Sequence, residues 1–197
     1  MYSATQKKII QESVVIIAEL GIDSLTIKKI AERLNFTDAA LYKHFKSKEE
    51  ILEGIAHNIE QIFYSEFEEV LHSLEGSIEI LKMLFLKHCE MVEKNNYNII
   101  IFDSHLFFKK FQNIDDYINE ILDTFKYSVV EIISIGQRKG EIRDDVDSEL
   151  IYWLIISVLN NFLHQWNRNN SFSLKEQSLK IWEQITKMIE PCKTETN

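Results

Sequence analysis

Two stretches of this sequence hold side chains suited to recognition or catalysis. The first is 26–48, TIKKIAERLNFTDAALYKHFKSK, which sets Thr26, Thr37, Asp38, Tyr42, Lys43, His44 and Lys48 around two small residues, Ala39 and Ala40. Hydroxyls, ammonium groups and the free N–H groups of helix starts are what hold phosphate oxygens. Lys43 can donate to guanine O6 and N7, Asp38 can accept from cytosine N4, and the alanines can approach thymine methyls. The second stretch holds His88, Cys89, Asp103 and His105, types that serve nucleophilic or metal-assisted catalysis. His88 and Cys89 are adjacent, so on a helix they point to different sides. No spacing pairs a nucleophile with a base and an orienting group, nor marks a metal site or a cofactor. A helical enzyme using His88, Cys89 and His105 is the remote alternative.

To present its groups, the first stretch must fold as two short helices around a turn. Ile27, Ile30, Ala31 and Leu34 recur at i, i+3, i+4 and i+7, which buries one face of a helix over 27–34. Thr26 is placed to cap it, and Thr37 to cap a second helix over about 38–44. Leu41 and Phe45 lie one turn apart and anchor that second helix, which leaves Tyr42, Lys43 and His44 on another face. A helix, a tight turn and a second helix form the unit that offers its second helix to a DNA major groove. Plain capping also explains Thr26, Thr37 and Ser47, and Asp38 suits a helix start electrostatically. His44 can equally stack on Tyr42 at the surface.

The run T-I-x-x-I-A-x-x-L and then T-x-A-x-L-Y-x-H-F-x-S-K-E-E-I-L, Thr26 to Leu52, resembles the DNA-binding domain of the TetR family of bacterial repressors. Its most specific part is Leu41-Tyr42-x-His44-Phe45-x-Ser47-Lys48-Glu49. The likeness covers about the first third of the chain, together with the size and helical layout of the rest. It implies that Thr26, Tyr42 and Lys48 hold phosphates, and that the exposed face of the second helix reads bases. It also implies an all-α, nine-helix TetR-like fold: a helix-turn-helix DNA-binding domain at 1–47 and a ligand-binding and dimerisation domain at 48–197. The family usually has glycine where Asn35 stands. Asparagine is the next most tolerant of positive φ, so the turn survives. Phe36 replaces a small aliphatic residue and should pack differently.

Composition agrees with a helical protein. One proline and five glycines are too few for many strands and turns, and 45% hydrophobic with 27% charged residues is ordinary for a globular chain. A net charge of −9 would argue against a nucleic-acid binder if it were spread evenly. It is not: residues 1–48 hold eight basic and five acidic side chains, and the remainder fourteen and twenty-six. A mildly basic head on an acidic body follows. Cys89 and Cys192 match no disulfide or metal spacing and suggest a reducing compartment. The start resembles no signal peptide, and the most apolar run, Leu150–Leu159, is far shorter than the ~20 residues that span a bilayer. A cytoplasmic protein without a membrane partner is expected.

Along the chain, a first helix over about 3–20 should end at Gly21 as a left-handed cap and cover the reading motif with Ile9, Ile10, Val14, Ile17 and Ala18. Ser47-Lys48-Glu49-Glu50 reads as a capping box opening a long helix striped by Ile51, Leu52, Ile55, Ile59, Ile62 and Phe63. Further helices are expected over about 77–94, 97–111, 114–138, 147–166 and 173–189. The eighth, around Trp153, Ser157, Phe162 and Trp166, is apolar nearly all round, and the ninth adds Ile181, Trp182 and Ile185. The resemblance makes these the homodimer interface, a four-helix bundle; a central core helix is the simpler explanation of the first.

The body also carries Phe85, His88, Cys89, Phe102, His105, Phe108 and Phe125, which the resemblance makes candidates for an apolar small-molecule pocket. Aromatic stripes at helical spacing are most often plain core. The function expected is that of a repressor, dimeric on a palindromic double-stranded operator, released when a hydrophobic, acyl-chain-like molecule binds the C-terminal domain. An activator or a ligand-independent regulator of the same fold is the alternative.

Overall fold

The computed structural model describes residues 2–71, 75–94, 108–169 and 172–191. Among these the chain forms eight α-helices, one short 3-10 turn and no strand. The helices are α1 (Ala4–Leu20), α2 (Ile27–Leu34), α3 (Asp38–Tyr42), α4 (Lys48–Leu71), α5 (Ser77–Lys94), α6 (Gln112–Arg138), α7 (Ser148–Asn169) and α8 (Leu174–Ile189), with the 3-10 turn at Ile22–Ser24. The all-α reading holds. The helix expected over about 97–111 lies outside the described residues except at its end, 108–111. Two compact units divide the chain: Met1–Ile62 with Asn95–Ile121, and Phe63–Lys94 with Leu122–Asn197.

In the first unit, each helix start is capped from the sequence. The Ser3 hydroxyl accepts from the Gln6 amide while the Gln6 side chain accepts from the Ser3 amide, a reciprocal box that opens α1. Gly21 ends α1 at φ 79 and ψ 162. Positive φ was expected there, but its ψ is extended rather than left-handed helical, so the chain leaves directly into the 3-10 turn. Ile9, Ile10, Val14, Ile16 and Ile17 of α1 are buried, as are Leu25, Ile30, Ala31, Leu41 and Phe45, and α1 packs on α2. Burial of side chains of this size is worth about 1.5–3 kcal/mol each, which is what holds the two short helices in place. Gly54 of α4 lets α1 come close: a Cβ there would stand 2.9 Å from Ile10 Cδ1. Arg33 ties α2 to α1 through Glu12, at 3.3 Å, and Glu19.

In the second unit, α5 and α8 pack along one another, with the rings of Phe85 and Trp182 at 5.4 Å. The loop between α6 and α7 is pinned rather than loose. The Gln137 side-chain amide donates to the carbonyls of Arg143 (2.8 Å) and Val146 (2.7 Å), and the Arg143 amide donates to Ile189 (2.8 Å). Asp147 accepts from the amides of Glu149 and Leu150 and so starts α7, and Ser173 accepts from Glu176 to start α8.

Candidate nucleic-acid interface and effector region

The reading motif is built by α2, its turn and α3. Thr26 and Thr37 each accept a hydrogen bond at 3.1 Å from the amide three residues on, Lys29 and Ala40. Asn35 adopts the left-handed conformation, φ 56 and ψ 40, and is the one non-glycine residue with positive φ among the described residues. Its amide donates to Glu32, and that of Phe36 donates to Ala31 at 2.8 Å. This is the two-bond helix stop that glycine usually provides. Phe36 is half-buried.

On the outside of this unit, Thr26, Thr37, Asp38, Ala39, Tyr42 and Lys43 are exposed, Tyr42 by 52%, while Ala40 and His44 are half-buried. Leu41 and Phe45 are fully buried and hold α3 from behind. α3 stops at Tyr42, two residues short of expectation, so His44 lies just past it. Its carbonyl accepts from Gln6 Nε2 of α1 at 3.2 Å. Gln6 was not anticipated as a support, although Ser3-x-x-Gln6 spells the box that positions it.

Lys48, expected as a phosphate contact, also serves the turn between α1 and α2. Its ammonium donates to the Ile22 carbonyl at 2.9 Å and lies 5.9 Å from the centre of the Phe111 ring. Burial pushes the ammonium below its ordinary pKa. Ser47 accepts from Glu50 as expected, but the Glu50 carboxylate takes the Lys46 amide, one residue earlier than the capping box requires. Lys28 and Lys46 are exposed and add positive charge to the same unit.

In the second unit, the aromatic candidates separate into two settings. The Phe63 ring lies 6.1 Å from His88, stacked, and 4.8 Å from Phe125, whose other neighbour is Phe67 at 5.2 Å. Phe85 packs on Trp182 instead, and Cys89 lines a groove of about 510 Å³ with Met83, Leu86 and residues of α8. His88 and Cys89 therefore face different surroundings, as adjacency on a helix requires. Phe63 and Phe67 were not among the pocket candidates; their period on α4 was the available signal. Phe108 is fully buried within the first unit. Phe102 and His105 lie outside the described residues.

The dimer candidates also divide. Trp153 and Ser157 are exposed, and Trp166 and Ile181 half-buried. Phe162, Trp182 and Ile185 are buried within the unit, so their apolar surface is already spent on packing. The apolar surface left outside belongs to Leu150, Trp153, Leu154 and Val158 of α7 and to Leu179 and Met188 of α8, each at least 38% exposed.

Residues 9–55 match the family described as bacterial regulatory proteins, tetR family, and residues 55–188 match the YsiA-like protein, C-terminal region. The chain belongs to the tetR family of bacterial regulatory proteins. It is a DNA-binding transcriptional regulator of that family. It is 23% identical over 155 residues to the HTH-type transcriptional repressor KstR2 of Mycolicibacterium smegmatis, covering 78% of this chain and 75% of the relative. It is 26% identical over 163 residues to the fatty acid metabolism regulator protein of Bacillus subtilis, covering 83% and 84%. The crystal structure of the regulator FadR from Bacillus subtilis in complex with stearoyl-CoA shares the fold, with a TM-score of 0.73 and 23% identity over 91% of this chain and 97% of that one. Among the described residues of this tetR-family chain, no helix is long and apolar enough to cross a membrane.

Proposed function

We propose that this regulator is a repressor and that the small molecule to which it answers is an acyl chain, carried as a coenzyme A thioester. The observation that carries the reading is the aromatic cluster of Phe63, Phe67, His88 and Phe125 within one unit. Apolar ring faces suit a hydrocarbon chain and offer an anion nothing. The fatty acid regulator of Bacillus subtilis and the stearoyl-CoA complex of FadR support the same ligand class.

On the DNA side, residues 1–47 act as the reading domain and 48–197 as the sensing and pairing domain. Thr26, Thr37, Tyr42 and Lys48 meet phosphates, and Ala39, Ala40, Lys43 and His44 meet base edges. Asp38 favours the start of α3 by its charge. Two chains pair through the exposed apolar face of α7 and α8 and set two reading helices about 34 Å apart on a palindrome. Ligand in the body shifts the pair toward a spacing that no longer fits. The protein works in the cytoplasm, beside its operator, and catalyses no reaction.

The test is a gel shift on DNA upstream of the protein's own gene, with and without stearoyl-CoA. A shift that weakens at least about tenfold, a coupling of about 1.4 kcal/mol, is the expected result. Equal affinity in both lanes would overturn the ligand class. A reporter on the same DNA, run with and without the protein, distinguishes repression from activation.

A further inference from the structure

The first unit contains a cavity of about 610 Å³ that no step of DNA reading uses. Its wall comes from three directions: Tyr2 and Gln6 at the start of α1, Glu53, Ala56 and His57 of α4, and Asn113, Ile114 and Tyr117 at the start of α6. Small-molecule sites typically measure ~300–1,000 Å³, so the space suits a compact metabolite. We propose that this cavity binds a small organic cation, with Glu53 as its counter-charge and the rings of Tyr2 and Tyr117 as its aromatic walls.

Charge and surface both point that way. Ala56 and Ile114 are buried and give an apolar floor. No lysine or arginine lines the space, and Glu53 makes no ion pair among the described residues. The one basic group in the wall, His57, already faces Glu60, with Nδ1 3.2 Å from Oε2, and its ring meets Tyr2 edge-on at 5.9 Å. Glu60 also accepts from the Tyr117 hydroxyl. Glu53 is thus the carboxylate left for an occupant, beside two rings whose faces attract a cation.

The two phenols stay neutral in this setting. Burial, then the hydrogen bond to Glu60, raises the Tyr117 hydroxyl to about 12, and burial with the charges of Glu53 and Glu50 raises Tyr2. An anionic ligand would meet the same carboxylates as repulsion. Gln6, which lines the cavity, also holds the His44 carbonyl, so the site backs directly onto the end of α3.

The test uses the full chain labelled with 3-fluorotyrosine, the Tyr2 and Tyr117 signals being assigned by phenylalanine substitution. Benzyltrimethylammonium is the probe and phenylacetate, an anion of similar size, the control. The cation should move both signals saturably, with a dissociation constant of about 1 mM or tighter, and leave Tyr127 and Tyr152 unmoved. Phenylacetate should move neither. Glu53→Gln, an exposed position, should keep the melting temperature and weaken the cation at least about fivefold. No saturable shift, an equal response to phenylacetate, or unchanged binding in Glu53→Gln would each overturn the proposal.

Discussion

The ammonium of Lys48 lies 2.9 Å from the carbonyl oxygen of Ile22, so the first residue of α4 closes the turn that joins α1 to α2. Nearby, Lys110 reaches Asp23 of the same turn at 3.1 Å. Lysine at position 48 reads in sequence as a free cation facing DNA. In the fold one of its three N–H groups is taken by a backbone carbonyl.

Lys48→Met keeps the apolar stem and removes the donor. Stability should fall by about 1 kcal/mol, below the ~1.5–3 kcal/mol of a well-buried charged hydrogen bond because the side chain is only partly buried. The slope of log K for operator binding against log salt should also fall by about one. Lys43→Ala should instead cost about 1–3 kcal/mol of operator affinity and relax the base preference at its position, without loss of stability. Fluorescence anisotropy over a salt series, with urea melts beside it, measures both. An unchanged slope in Lys48→Met would remove Lys48 from the phosphate contacts.

At Asn35 the left-handed backbone sets the preference. Asn35→Gly should be neutral or slightly stabilising, and Asn35→Ala should cost about 1 kcal/mol, since a Cβ without a helpful polar group is strained there. Thermal unfolding of the three proteins is sufficient, and an alanine variant as stable as the parent would count against the turn geometry.

Gly136 sets two effects against each other. Alanine inside a helix ordinarily gains about 1 kcal/mol over glycine. Here an added Cβ would stand 2.7 Å from Ile142 Cδ1 and 2.8 Å from Ser77 Cβ. Crowding of that kind costs roughly 1–3 kcal/mol, so Gly136→Ala should destabilise the protein. A rise in melting temperature would mean that the contact relaxes.

Trp153 and Trp182 should behave differently. Trp153 is 49% exposed, whereas Trp182 is 3% exposed and packed on Phe85. Trp153→Asp is expected to shift the chain toward monomer in light scattering, because a charge would have to be buried at the pairing face. Trp182→Ala should instead lower stability by about 3–5 kcal/mol. If Trp153→Asp stays dimeric at low micromolar concentration, the pairing face lies elsewhere.

The Tyr117 hydroxyl, raised from 10.0 to about 12, gives a pH signature. Its folded form holds the proton more tightly than the unfolded one, so its contribution is complete below pH 10 and lost as pH rises toward 12. Urea melts across that window should show stability falling in the parent and falling less in Tyr117→Phe.

Much of the architecture follows from local order along the chain. The period of Ile27, Ile30, Ala31 and Leu34, the hydroxyls of Thr26 and Thr37, and Asn35 in the turn each act within a few residues. Their physics is local, and the sequence alone determined the reading helices, the caps and the helical class. Direction is a different matter. Whether Lys48 also reaches Ile22, whether Trp182 pairs with another chain or with Phe85, and which of His88 and Cys89 meets Phe63 depend on groups far away in sequence. Gln6 meets His44 across thirty-eight residues, and Glu60 meets Tyr117 from another helix. Such pairings depend on how helices pack, and no periodicity carries that information. The sequence decided what each element could offer; only the tertiary structure decided what each side chain was left to do.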